Sequence, residues 1–275
     1  MTCCKPLLFY DSGAGGLPYL AAARACLSGP SSPAGGFIYL ADQKNFPLGE
    51  KPTRIIREVI LESISLAVRR FDPELIVIAC NTASVVALEA LRARFSIPFV
   101  GVVPAVKPAA LSMEAGKIAV VATRRTSVGP YLEKLIRDFT EGCEVIKVPV
   151  SNLVEFAEYS YLFAEERERL AVVQRELAPV LDDHLQAVVL GCTHFVLLEE
   201  EFRAVLPDSV ALIDSREGVT KRIVTLLAGA SVAGGDCPPA AELYLHGGLG
   251  EEKRYRAFAA RFDLHYGGIL EGEDG

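Results

Sequence analysis

Short apolar runs recur along the chain, and each gives way to a polar or glycine-bearing turn before an apolar pattern of helical period begins. The runs centre near residues 9, 39, 78 and 101, and again near 120, 146, 189 and 212. Runs without polar alternation read as strands covered on both faces, as parallel sheets require. Between them, Thr53 to Phe71 sets Ile55, Ile56, Val59, Ile60, Ile64, Ala67 and Val68 at helical spacing, with Arg54, Arg57, Glu58 and Glu62 on the other face. Glu165 to Asp183 reads as a long amphipathic helix. Ser28–Gly36 and Gly234–Pro239 read as loops, and a helix runs from Arg216 to about Val232, followed by Glu242–His246 and a helix Glu251–Phe262.

Strands alternating with helices predict an α/β fold, and the matched spacing of the two sets predicts a duplicated unit. The expected architecture is two similar α/β domains with mainly parallel sheets, related by a pseudo-twofold axis, with the active site in the cleft between them. The first domain takes residues 1–104 plus 216–275 and the second 105–215.

In each set the third strand runs into a thiol. Leu75–Leu91 reads LIVIACNTASVVALEAL and Ala187–Phe202 reads AVVLGCTHFVLLEEEF, so Cys80 and Cys192 occupy matching strand-to-helix turns. Amide groups at a helix start favour negative charge and stabilise a thiolate. Cys80 alone reads as well as a small packed apolar residue; the second copy favours chemistry. The first strand ends in Asp11-Ser12-Gly13-Ala14-Gly15-Gly16, which matches neither a dinucleotide fingerprint nor a P-loop. A carboxylate at the carboxyl end of a strand lies where α/β sheets meet ligands; a helix cap by Asp11 or Ser12 is the plainer alternative.

Composition narrows the class. The 275 residues are 51 % hydrophobic with a formal net charge of -7, enough for two modest cores and a poor match to nucleic acid. None of the seven cysteines falls in a C-x-x-C pair and Cys3-Cys4 is the sole close pair, so they read as free thiols of a reducing, cytoplasmic compartment, with no zinc site. The apolar run after Lys5 is too short for a signal peptide or a membrane span. His184, His246 and His265 have no motif around them and read as surface or packing residues, as do Cys26, Cys143 and Cys237.

Two thiols flanking a small ligand suit proton transfer at a carbon acid: a thiolate removes a proton from one face and a thiol returns one to the other, without a cofactor. Asp11 beside the first thiol, and His194 and Glu155 beside the second, are candidate shuttles or orienting partners. Ser12, Asn81, Thr82, Thr123, Thr126 and Thr193 are short polar groups able to hold a carboxylate or an ammonium.

The stretches FYDSGAGG, YLADQKNFPLGEK, VIACNTASVVALEALR, GVVPAVKPAA, ATRRT, LVEFAE, VVLGCTHFVLLEEEF and ALIDSREG, collinear from Leu7 to about residue 230, resemble glutamate racemase, a cofactor-independent family that supplies D-glutamate for peptidoglycan. The resemblance implies two α/β domains, Cys80 as the base for D-glutamate and Cys192 as the base for L-glutamate. It assigns supporting roles to Asp11, Glu155 and His194, and substrate contacts to Ser12, Pro47, Leu48, Gly49, Asn81, Thr82, Thr123, Thr126 and Thr193. The GVVPAVKPAA and ATR segments resemble the subgroup that requires the precursor UDP-N-acetylmuramoyl-alanine as activator. A homodimer is compatible with this picture. Two positions depart from the family pattern: Leu48 stands where a tyrosine is usual, and Arg125 where a small residue is usual. Two rivals follow: a racemase of the same mechanism for aspartate or another small acid, and a non-catalytic ligand-binding relative.

Overall fold

The computed structural model describes residues 5–27, 33, 35–113, 116–228 and 240–271. The expected loops at 28–36 and 234–239 and the thiols Cys3, Cys4 and Cys237 lie largely or wholly outside them. Ten strands are present among the described residues: β1 Leu7–Asp11, β2 Phe37–Ala41, β3 Leu75–Ile78, β4 Phe99–Gly101, β5 Gly116–Ala122, β6 Cys143–Pro149, β7 Leu185–Leu190, β8 Ala211–Ile213, β9 Ala241–His246 and β10 His265–Leu270. The chain divides into two compact units, Met1–Val102 with Arg216–Gly275, and Val103–Ser215.

In the first unit the strand order is β10-β9-β2-β1-β3-β4 and in the second β6-β5-β7-β8, with every pairing parallel. The order β2-β1-β3-β4 thus repeats as β6-β5-β7-β8. β1, β2 and β3 are buried at every residue because helices cover both faces, which is why they appear in the sequence as unbroken apolar runs. Helix Thr53–Phe71 buries Ile56, Ile60, Ile64 and Ala67 on β1 and β3 residues Leu8, Tyr10, Ile76 and Ile78. In each unit the first strand lies between the second and the third, so the chain reverses direction across the sheet there. Parallel sheets open a ligand crevice at the carboxyl ends of the strands at such a point.

Three elements differ from expectation. β10 carries Gly267 and Gly268, where the pairing with β9 shifts register; a Cβ on Gly267 would stand 2.3 Å from the Tyr244 ring, so the site admits glycine alone, and the period-two signal is lost. The helix expected to reach Asp183 spans Glu166–Leu177, opening with a capping box between Glu165 and Glu168 and closing just ahead of Pro179, which has no N–H to carry the i→i−4 ladder on. Helix Arg216–Leu227 is followed by a turn at Ala228, and the rest of the stretch expected to reach Val232 lies outside the described residues. Among the described residues no helix is long and apolar enough to cross a membrane.

Candidate active site

Both thiols stand at the start of a helical turn with nearly the same backbone. Cys80 (φ −138°, ψ 122°) precedes helix Asn81–Arg94, and Cys192 (φ −138°, ψ 137°) precedes the 3-10 turns Thr193–Leu198. They are 7 % and 8 % exposed. Register makes them equivalent: Tyr10 pairs with Ile78 in the first sheet and Val121 with Leu190 in the second. One residue on, Ala79 N–H donates to the Tyr10 carbonyl and Gly191 N–H to the Val121 carbonyl, both at 2.7 Å. A Cβ on Gly191 would lie 2.9 Å from Ala122 Cβ, so the residue before Cys192 has to be glycine for β7 to close on β5.

At the first thiol, β1 ends in a fully buried Asp11 whose Oδ1 accepts from Gly13 N–H (3.1 Å) and Ser12 Oγ (3.3 Å). Tyr39 Oη donates to the Gly13 carbonyl (2.7 Å) and accepts from Gly16 N–H (3.0 Å), so the glycine-rich turn is held from both sides. The helix after Cys80 is pinned by Ser84, whose Oγ donates to the Ile78 carbonyl and accepts from Val102 N–H, both at 2.9 Å. Asn81 and Thr82 are buried in its first turn. Asp11, Ser12, Cys80, Asn81 and Thr82 thus share the carboxyl ends of the neighbouring strands β1 and β3.

Leu48 is 2 % exposed and belongs to the same apolar cluster as Cys80, Tyr10 and Ala83. Its side chain is committed to the core, so any ligand contact from this loop falls to backbone at Leu48 and at the half-buried Pro47 and Gly49.

At the second thiol, Thr123 caps the one-turn helix Arg124–Ser127: its Oγ1 accepts from Thr126 N–H (3.3 Å) and lies 3.1 Å from Thr126 Oγ1. Thr123 and Cys192 lie at the ends of neighbouring strands, and Thr193 and His194 are buried beside the thiol in sequence. His194 Nε2 lies 3.0 Å from Glu158 Oε2, and both side chains are buried. With Glu158 ionised, Nε2 carries the hydrogen and the carboxylate orients the ring.

Here the structure corrects one assignment. Glu155 is exposed and lines a surface groove with Asn152, Tyr159 and Arg175, while the carboxylate on His194 is Glu158. The cause is local. Helix Asn152–Glu155 runs into a wide turn, Phe156–Ser160, closed by Tyr161 N–H to the Phe156 carbonyl. Residues three apart share a face of a regular helix, but wide i→i+5 turns rotate less per residue, so Glu158 turns inward where Glu155 faces out. The sequence did carry a signal: Glu158 falls on the stripe formed by the buried Leu153, Ala157 and Tyr161, where a charge needs a partner. Arg169 fixes the following segment, pairing with the buried Glu201 and donating to the Ala164 carbonyl at 2.8 Å.

A second residue escaped the sequence reading. His246, at the end of β9, is buried with Nδ1 2.9 Å from Asp42 Oδ1. Of the other thiols, Cys26 is exposed and Cys143 half-buried. No group of three or more His, Cys, Asp or Glu side chains is placed to hold a metal ion among the described residues.

Duplicated parallel units with a thiol at each matching switch-point turn define a class that the family comparison names: the Asp/Glu/Hydantoin racemase model matches residues 45–221, and the chain belongs to that family of isomerases. Within it, the chain is similar to glutamate racemases. It is 42 % identical over 224 residues to the glutamate racemase of Pectobacterium atrosepticum, covering 81 % of this chain and 76 % of that protein. To that of Shewanella sp. MR-7 it is 41 % identical over 225 residues, covering 82 % and 80 %. Among solved structures, Escherichia coli glutamate racemase in complex with L-glutamate and the activator UDP-MurNAc-Ala superposes with a TM-score of 0.85 at 33 % identity, over 97 % of this chain and 98 % of that one. The Thermus thermophilus enzyme bound to beta-chloro-D-alanine gives 0.73 at 27 % identity, over 98 % and 97 %.

Proposed function

We propose that the chain interconverts L- and D-glutamate by proton transfer at Cα, with Cys80 and Cys192 as the two acid-base groups, and so supplies D-glutamate for peptidoglycan in the cytoplasm. The observation that carries this reading is the equivalence of the two thiol turns, each a nearly buried cysteine in extended backbone at the head of a helical turn. Following the family resemblance, Cys80 deprotonates D-glutamate and Cys192 deprotonates L-glutamate, each returning a proton when the other acts. General acid-base catalysis requires one thiol charged and one neutral at the start of each half-reaction. Asp11 supports the first thiol; His194, oriented by Glu158, supports the second. Ser12, Asn81, Thr82, Thr123, Thr126 and Thr193 supply the hydroxyl and amide contacts for the substrate, together with backbone at Pro47, Leu48 and Gly49.

Similarity to the Escherichia coli enzyme solved with UDP-MurNAc-Ala extends the proposal to that precursor as an activator. Incubation of the purified chain with L-glutamate in heavy water, with and without UDP-MurNAc-Ala, tests both parts. Loss of the Cα proton and of optical activity is expected, faster with the precursor. Exchange with L-aspartate but not L-glutamate would move the substrate to the smaller acid, and exchange with neither under both conditions would overturn the reading.

A further inference from the structure

Beside the Cys80 turn, the first unit buries a polar cluster that the proton transfer does not itself use. Asp42, one residue past β2, is fully buried. Its Oδ2 accepts from Tyr10 Oη and Ser63 Oγ, both at 2.7 Å, and Asn45 Nδ2 lies 3.0 Å from Oδ1 and 2.9 Å from Oδ2. His246 Nδ1 completes the set at 2.9 Å from Oδ1, and stands 3.1 Å from Ser63 Oγ. The Tyr10 and Ser63 hydroxyls and the Asn45 amide offer hydrogens to the carboxylate, and the contact with Oδ1 is a hydrogen bond when His246 Nδ1 carries a hydrogen.

The fold does not demand this cluster. Asp42 N–H donates to the Asp11 carbonyl at 2.8 Å, and in the second unit Val150 N–H donates to the Ala122 carbonyl at the same distance. Val150 therefore stands where Asp42 does, and Val121 where Tyr10 does, both buried. A buried polar cluster is weak support for stability, and the sister unit closes the same turn with two valines.

What the cluster does hold is the end of β1, at three consecutive residues. Asp42 grips Tyr10 through its carboxylate and Asp11 through its N–H. Gln43 Nε2 donates to the Ser12 carbonyl at 3.2 Å. The turn that does the gripping is itself propped from the far end of the chain: His246 of β9 on Asp42, and Tyr255 of helix Glu252–Arg261, whose Oη accepts from Gln43 Nε2 at 2.7 Å. Arg254 Nη2 adds a bond to Gln43 Oε1 at 3.2 Å.

We propose that the C-terminal segment 241–261 is a brace for the first half-site, in which His246 and Tyr255 act as positioning residues. Through Asp42 and Gln43 they fix the backbone from Tyr10 to Ser12, and with it the Asp11 carboxylate relative to the Cys80 thiol. The proposal rests on the racemase reading for what is positioned, and on the geometry above for the brace. Misplacement of a reacting group by about 1 Å costs on the order of a hundredfold in rate, so loosening the brace slows the Cys80 step more than it weakens binding.

Three variants of the full chain test it. His246→Leu removes the donor at similar bulk, His246→Asn returns an N–H near the Nδ1 position, and Tyr255→Phe removes one hydroxyl without touching a charge. In His246→Leu, kcat is expected to fall about 30-fold with KM within about threefold. The primary isotope effect on Cα deprotonation of D-glutamate should rise while that of L-glutamate falls, as the Cys80 step becomes limiting. His246→Asn should recover to within about threefold of wild type, and Tyr255→Phe should lose about threefold. Amide hydrogen exchange at Gly13 and Gly16 should quicken about tenfold in His246→Leu and measurably in Tyr255→Phe, with the β5 and β7 amides unchanged. Unchanged exchange at both glycines, or isotope effects equal to wild type in a variant that has lost rate, would overturn the brace. If the wild-type chain does not act on glutamate, the racemase reading fails and the exchange measurement alone decides the brace. If His246→Leu does not fold, Tyr255→Phe decides it.

Discussion

At the end of β1 the first unit carries Asp11, and at the matching end of β5 the second carries Ala122; one residue past β2 stands Asp42, and one past β6 stands Val150. The thiols themselves match to within about 15° in both backbone angles. Around Cys80 the polar groups come from strand ends and are carboxylates tied to hydroxyls and amides. Around Cys192 they come from helical turns, as an imidazole paired to the carboxylate of Glu158. Duplication thus placed two thiols on one backbone plan, and the surroundings diverged. Under the proposed two-thiol transfer each thiol takes both protonation states in turn, and the unlike surroundings give each a different supporting group.

The largest test of this pairing removes each thiol in turn. Cys80→Ser and Cys192→Ser should each cut racemisation by at least about a thousandfold, because serine lacks an accessible anionic form near neutral pH. If one variant keeps turnover near wild type while the other is dead, the two turns are alike in form only. A smaller effect separates the two glutamates of the second unit. Glu158→Gln leaves His194 without a charged orienting partner and should lower kcat about a hundredfold, whereas Glu155→Gln, altered on an exposed face, should stay within about twofold. Steady-state kinetics on the pair checks this, and a reversed order would return the supporting role to Glu155.

The smallest effect sharpens the contrast between Tyr10 and its counterpart Val121. Burial first, and then the charge and hydrogen bond of Asp42, push the Tyr10 phenol well above its ordinary value. A raised folded-state value means stability is fully present below the unfolded value of about 10 and is lost as pH rises from there through the higher folded value. Urea midpoints measured on either side of that pH should therefore fall in the wild type and fall less steeply in Tyr10→Phe. Equal slopes would mean that Tyr10 does not hold its proton more tightly in the folded chain.

Much of this contrast was legible in sequence, and the part that was not has a common cause. β1, β2, β3, β5 and β7 could be read because strands largely buried on both faces leave near-continuous apolar runs, and the repeat of those runs exposed the duplicated plan. Cys80 and Cys192 were legible because each follows such a run directly. β10 was hidden by Gly267, which the Tyr244 ring requires, and by Gly268, which sits at φ +108°. Glu158 was hidden by a wide turn that changes which face a residue takes. His246 was hidden because its partner lies 204 positions away in the chain, and no local pattern marks a residue whose role is set across a sheet.

The most direct test of two-thiol transfer follows the label rather than the rate. L-glutamate is turned over in heavy water to a few per cent conversion, and deuterium at Cα is measured separately in the D-glutamate formed and the L-glutamate left. Two thiols on opposite faces predict deuterium in essentially all of the product, because the proton returned comes from the solvent-equilibrated second thiol, and almost none in the residual substrate. Product that keeps the original proton, or deuterium that enters residual L-glutamate as fast as the product, would mean that one group serves both faces and would contradict the pairing of Cys80 with Cys192.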